Sequence, residues 1–368
     1  LKKYFLFSWT PFFSLLVIFS IGAYLGSRLY KGILQKEPFK GYPRPLKPRV
    51  VFKELASCRI QSKILRQFLN FEDALFYHLL IQTFFKCLGL YERGMSNALN
   101  FQLREIFISH PNVPRAFEEY TILFMSDLHL DGLNGLTERL QTILEEISVD
   151  LCILGGDYRM ATHGSYQDAL QKLKRVIANI KTRDGIIAVL GNHDCLEMAE
   201  LLEEMGVKVL VNDAIPIRHK GETAWIVGVD DPHYYQCHDL DQAFEDVPQN
   251  AFVIFVAHTP KLYKEAAHYG ADIYLAGHTH AGQIQVPPIG PIFTHCPAPR
   301  KYCQGIWNYK KMTGYTTSGV GVSGVPLRFN CPGEIVKIRL KTQLSEFRKL
   351  RNSKSEYRNP NRAPKTDC

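Results

Sequence analysis

Five short apolar runs, each breaking directly into chemistry-bearing polar residues, constrain this chain more than any other feature. Thr121–Met125 runs into Ser126-Asp127-Leu128-His129, and Leu151–Leu154 into Gly155-Gly156-Asp157. Ile186–Leu190 runs into Gly191-Asn192-His193-Asp194, Phe252–Ala257 into His258, and Ile273–Ala276 into Gly277-His278-Thr279-His280. Stretches with helical spacing lie between them, at Leu136–Ile147, Tyr166–Lys181 and Leu196–Met205. Apolar runs alternating with amphipathic helices describe an α/β fold, and such sheets carry their ligands at the C-terminal ends of the strands.

The residue types at those ends suit a pair of cations. Asp127 and His129, two apart at a strand end, point the same way, and a second i, i+2 pair, His278 and His280, recurs 151 residues on. Asp157 follows two glycines and offers two oxygens, enough to bridge two ions. Asn192, His258 and His278 complete one ligand set; Asp127, His129 and His280 complete the other. With oxygen and nitrogen donors only, Mn²⁺ is favoured, with Fe or Zn²⁺ also compatible. Two ions about 3.5 to 4 Å apart hold a hydroxide nucleophile and clamp phosphoryl oxygens during in-line displacement. His193, beside Asn192 but not needed as a ligand, suits protonation of the leaving group, with Asp194 to orient it. Arg159 and Arg328 are candidate phosphate contacts, because a guanidinium meets phosphate bidentately. A lone Asp-x-His is commonplace and a lone buried His is usually a core residue; five ordered motifs, each after a strand, are a different matter.

Asp127-x-His129, Gly156-Asp157, Gly191-Asn192-His193-Asp194, His258 and Gly277-His278-x-His280 resemble the signature of the calcineurin-like metallophosphoesterases over roughly residues 101–340. The resemblance implies a four-layer α/β sandwich, two mixed sheets flanked by helices, with a dinuclear metal site at the strand ends. Gly277–Ile284 and Ser323–Phe329 look more specifically like the membrane-anchored bacterial phosphodiesterases. Within that branch the chain is similar to the UDP-2,3-diacylglucosamine pyrophosphatases, which release UMP and 2,3-diacylglucosamine 1-phosphate in lipid A biosynthesis. The run after Asp157, Tyr158-Arg159-Met160-Ala161-Thr162-His163, lacks the Asp-Arg-Gly of the protein phosphatases and argues against that branch.

The flanks fit a membrane setting. Tyr4–Gly26 holds no charged residue and is long enough for one crossing, so 1–27 is expected to be a transmembrane anchor. Lys2 and Lys3 precede the run, whereas Arg28, Lys31, Lys36, Lys40, Arg44, Lys47 and Arg49 follow it; the positive-inside rule then puts the catalytic part on the cytosolic side of the inner membrane. Residues 28–50 read as a basic, proline-containing linker, and 51–100 as a helical segment serving as lid or membrane-surface element. The net charge of +8 is misleading, because 341–368 alone carries eight Lys/Arg against three Asp/Glu and reads as a disordered basic tail. That location, without a basic aromatic platform, argues against nucleic acid as partner and for a membrane and an amphipathic, phosphate-containing substrate. Two rival functions stay open at this stage: a general phosphodiesterase on phospholipids or soluble nucleotides, and an inactive scaffold of the same fold.

Overall fold

The computed structural model describes residues 75–342, apart from 163, 292, 293 and 295. The expected anchor, the linker, the first part of the 51–100 segment and nearly all of the basic tail lie outside the described residues. Among the described residues no helix is long and apolar enough to cross a membrane.

Two helices open the described part, α1 (Leu75–Cys87) and α2 (Tyr91–Leu99). The first half then runs β1 (Gln102–His110), β2 (Thr121–Met125), α3 (Leu136–Glu145), β3 (Ser148–Val149), β4 (Leu151–Leu154), α4 (Gln167–Ile177), β5 (Lys181–Thr182), β6 (Ile186–Ala188), α5 (Glu197–Glu204) and β7 (Val207–Val209). The second half runs β8 (Asp213–His219), β9 (Glu222–Gly228), α6 (Leu240–Ala243), β10 (Phe252–Val256), α7 (Tyr263–His268), β11 (Ile273–Ala276), β12 (Gln285–Val286), β13 (Gly290–Pro291), β14 (Gly305–Tyr309), β15 (Met312–Thr316) and β16 (Glu334–Thr342).

Two six-stranded sheets result, in the orders β1-β16-β2-β4-β6-β7 and β14-β15-β11-β10-β9-β8. The central strands β2, β4 and β6 are mutually parallel, as are β9, β10, β11 and β15. Strands buried on both faces need continuous apolar runs, which is why β4 (LCIL), β10 (FVIFV) and β11 (IYLA) show no alternation. Antiparallel β8 and β14 at the edges, and β16 antiparallel to β2, make both sheets mixed.

Three apolar clusters define four layers. Between the sheets, Ile122, Phe124, Ile153 and Ile187 of the first meet Ile226, Ile254, Val256 and Leu275 of the second. The outer face of the first sheet packs Leu123, Cys152 and Leu154 under Leu140, Leu144, Leu173, Val176 and Leu202 of α3, α4 and α5. The opposite face of the second sheet packs Val253, Phe255 and Tyr274 under Leu240, Ala266 and Trp307. The α/β sandwich expected from the strand pattern is the one observed. Helices α1 and α2 dock outside it: the Phe85 ring stacks on Phe329 at 5.1 Å, Gly94 closes on Leu327 and Phe329, and Asn97 donates to the Arg328 carbonyl at 3.0 Å.

Candidate metal centre

All five expected strand ends converge at one end of the sandwich, where the C-terminal ends of the two sheets meet. Asp127 and His129 follow β2, Asp157 follows β4, and Asn192 and His193 follow β6; His258 follows β10, and His278 and His280 follow β11. Neighbouring loops are laced by main-chain bonds from Asp127 N to Gly156 O (2.9 Å), His129 N to Asp157 O (3.1 Å) and Gly277 N to His258 O (2.8 Å). Two glycines permit the approach: Gly156 sits at φ 91°, and a Cβ on Gly277 would overlap the side chains of Ser126 and Asp127. Five of the seven expected ligands occupy the left-handed region, Asp127 (φ 55°), His129 (41°), Asp157 (59°), His278 (69°) and His280 (46°). Such conformations are strained for residues with a side chain and persist only where surrounding contacts enforce them.

The side chains gather into two neighbouring groups, joined by a third of His129, Asp157 and His193 whose donor atoms also lie within 4.8 Å of one another. Donor atoms of Asp127, His129 and His280 all lie within 4.8 Å of one another, and so do those of Asp157, His258 and His278. Asn192 joins the second group, its Oδ1 2.8 Å from His278 Nδ1. His258 Nε2 lies 3.1 Å from Asp157 Oδ2 and 3.8 Å from Asp127 Oδ1, which places it between the groups.

Whether these residues fit cations is decided by the imidazoles. His258 Nδ1 faces the Gly155 carbonyl at 2.8 Å and His129 Nδ1 faces the Arg159 carbonyl at 2.8 Å. A carbonyl can only accept, so both rings carry their proton on Nδ1 and, when neutral, turn a bare Nε2 lone pair inward. His258 Nε2 is buried with no well-aligned hydrogen bond and only the Asp157 carboxylate 3.1 Å away, an arrangement that a cation shared by the two would satisfy. Ligating imidazoles ordinarily hold their other nitrogen against a carbonyl in this way. The electrostatics agree. Burial pushes Asp127 up to about 6, and burial with His193 beside it pushes His129 down to about 3. Burial also acts on Asp157, yet the imidazoles of His258, His193 and His129 hold it well below the usual carboxylate range. His258 is the counterpart: against its burial, Asp157 and Asp127 hold it up at about 10. The residues present therefore fit two divalent cations with Asp157 between them.

A profile of the family described as calcineurin-like phosphoesterase matches residues 120–282, the span that holds all these ligands. The chain belongs to that family. It is 28% identical over 241 residues to an uncharacterized metallophosphoesterase of Helicobacter pylori, a match covering 61% of this chain and 60% of that protein. It is 28% identical over 235 residues to the phosphodiesterase YaeI of Escherichia coli, covering 60% and 82%. It is 28% identical over 256 residues to a Danio rerio transmembrane protein with metallophosphoesterase domain, covering 64% and 56%. The match thus spans less than two thirds of the Helicobacter and Danio proteins. Calcineurin-like phosphoesterases are hydrolases of phosphate esters, and the cluster described above lies within the span that matches them.

His193 is brought into the family site as expected. Its Nε2 lies 3.8 Å from Asp157 Oδ2, its ring meets that of His129 edge-on at 4.8 Å, and its Nδ1 faces the Met160 carbonyl at 2.5 Å. That carbonyl, and not Asp194, orients the ring. The Asp194 carboxylate instead accepts from the main-chain N–H groups of Asp157 (2.7 Å), Tyr158 (2.9 Å) and Gly191 (2.8 Å), so it positions two ligand loops. The expectation of phosphate contacts fares no better for the two arginines. Both are fully buried, Arg159 donating to the carbonyls of His193, Gly164 and Thr162, and Arg328 to those of Ser318, Gly321 and Cys331. A guanidinium committed to carbonyls braces loops and cannot turn to a substrate without breaking them. One residue beside the ligands escaped the sequence reading: His233, whose ring lies 4.3 Å from that of His278. Its signal was a sixth strand end, β9 running into Val229-Asp230-Asp231-Pro232-His233.

Proposed function

We propose that the chain hydrolyses a phosphodiester or pyrophosphate bond of a lipid-linked nucleotide, UDP-2,3-diacylglucosamine, giving UMP and 2,3-diacylglucosamine 1-phosphate for lipid A biosynthesis. The observation that carries the chemistry is the convergence of seven oxygen and nitrogen donors into two groups that share the region around Asp157. One group, Asp127, His129, Asp157 and His280, would hold the first divalent cation; Asp157, Asn192, His258 and His278 would hold the second. Bound there, the cations supply a nucleophile from water and positive charge for the phosphoryl oxygens. The chain's own contribution is positional. Asp194 and Arg159 fix the loops, the carbonyls of Gly155 and Arg159 fix the imidazole tautomers, and His193 presents Nε2 beside Asp157, where it can hand a proton to the departing oxygen.

The lipid-linked substrate draws on separate support. The uncharged Tyr4–Gly26 run suits a membrane anchor, one relative is named a transmembrane protein, and another is named a phosphodiesterase. The residues after Asp157 also lack the protein phosphatase run. The test is product analysis with purified full chain and Mn²⁺, offered UDP-2,3-diacylglucosamine and bis(p-nitrophenyl) phosphate. Release of UMP supports the proposal. Turnover of the aryl diester alone removes the lipid substrate and leaves a general phosphodiesterase; turnover of neither, with no metal retained, leaves a scaffold.

A further inference from the structure

Large apolar side chains are seldom left in water together, and here their placement is uneven. Among the described residues seven are exposed, and five of them, Phe84, Leu88, Val286, Ile289 and Ile306, sit on three elements joined through Phe329 and Gln304. Helix α1 carries Phe84, with Leu88 just beyond its end; the β12–β13 hairpin carries Val286 and, in its turn, Ile289; β14 carries Ile306. The joints are explicit. Phe84 meets Phe85 edge-on, Phe85 stacks on Phe329, Gln285 N donates to the Phe329 carbonyl at 3.0 Å, and the Gln285 side chain bonds that of Gln304 at 2.9 Å, two residues before Ile306. The patch borders the metal centre, because Gln283, which receives the Phe329 N–H, itself donates to the carbonyl of His280.

Charge on these elements has one sign. From Leu75 to Tyr91 there is no Asp or Glu, and none occurs between Asp272 and Glu334, although Glu72, Asp73 and Glu92 flank the first stretch. Lys86 on α1 and Arg300 and Lys301 ahead of Gln304 are exposed. An apolar patch with exposed Lys86, Arg300 and Lys301 beside it and few carboxylates, Glu92 of α2 among them, matches a bilayer carrying anionic headgroups, which attract basic groups near the surface while apolar side chains enter the interface. A second protein with an equally apolar face would gain nothing from the missing carboxylates. In sequence, α1 is the first described element and the uncharged Tyr4–Gly26 run lies upstream of it.

We propose that the surface formed by α1, the β12–β13 hairpin and the start of β14 seats on an anionic phospholipid bilayer, holding the mouth of the metal centre at the lipid interface. The idea deepens the lipid-linked reading and rests on it for its purpose, but it can be tested without any turnover. Full chain would be reconstituted in vesicles of phosphatidylcholine with phosphatidylglycerol, carrying p-benzoylphenylalanine in place of Phe84 or Ile289, which are 60% and 69% exposed. The control replaces Phe107, 56% exposed on β1 at the far edge of the first sheet. After irradiation, lipid adducts several-fold above the control at positions 84 and 289, falling when phosphatidylglycerol is replaced by phosphatidylcholine, are the expected result. Equal adducts at 107, none at 84 and 289, or adducts to a second copy of the chain would each overturn it. Failure of the lipid-linked substrate in the product assay would leave the adduct pattern standing, so the two readings fail separately.

Discussion

At the scale of single residues, the site assigns different work to side chains of the same type. His129 and His258 give a carbonyl their Nδ1–H and turn Nε2 inward; His193 does the same with Met160 and lies within the cluster beside His129 and Asp157, but is not needed to complete either expected ligand set. His193→Ala should therefore keep its metal content and lose on the order of 10²-fold or more in kcat on an alkyl or sugar phosphodiester. With p-nitrophenolate leaving, no proton is needed and the deficit should shrink several-fold; an equal loss on both substrates would remove the proton-donor role. His258 yields a second expectation. Its imidazole is held up at about 10 by Asp157 and Asp127, so the metal-free protein carries it protonated near pH 8. That charge contributes stability present below the ordinary imidazole value near 6.5 and lost as pH rises through about 10. Loading cations at pH 8 should accordingly release roughly one proton from this residue, and affinity should weaken as the pH is lowered. Calorimetry in buffers of differing ionisation enthalpy measures the count, and zero release would contradict the arrangement. The seven ligands were legible in the sequence because all of them follow one of five apolar runs. The partners of Asp194 were not legible, because its three main-chain donors belong to two loops, and adjacency in sequence to His193 says nothing about which N–H groups a carboxylate meets in space.

At the scale of elements, the parallel centres of both sheets could be read because a strand buried on two faces needs an unbroken apolar run. The partner of β1 could not. Strand β16 (EIVKIRLKT) alternates, pairs in parallel with β1 and antiparallel with β2, and reaches them from more than 200 residues away. Nothing local encodes that insertion. The joint of α1 and α2 with the Leu327–Phe329 segment is likewise a long-range product, resting on Phe85 over Phe329 and on a glycine at 94 where any Cβ would press into both Leu327 and Phe329. Phe85→Ala removes one ring of a stacked pair, worth about 0.5–1.5 kcal/mol beyond its buried area. Amide hydrogen exchange across α1 and α2 should quicken in that variant while exchange in β2, β4 and β10 and the metal content stay unchanged. Loss of metal together with α1 would show that the helices and the site are not separable.

At the scale of the molecule, the ligands are divided between the two sheets, three motifs from the first and two from the second, so the centre closes the same seam that the inter-sheet core fills from below. Support for that seam arrives late in the chain. The buried Glu334, first residue of β16, accepts from Tyr315, Thr317 and Ser318, and the loop it holds lays Val320 N on the Ser126 carbonyl and Gly321 N on that of Asp127. All seven ligands precede it in sequence. During synthesis the ribosome will thus have delivered every metal-binding side chain before the strand that shelters Asp127 exists, and a nascent chain halted ahead of residue 334 should fail to retain divalent ions despite owning the full set of donors. Competence to bind metal should then arrive with β16, the last strand among the described residues, and not with His280, the last ligand to be translated.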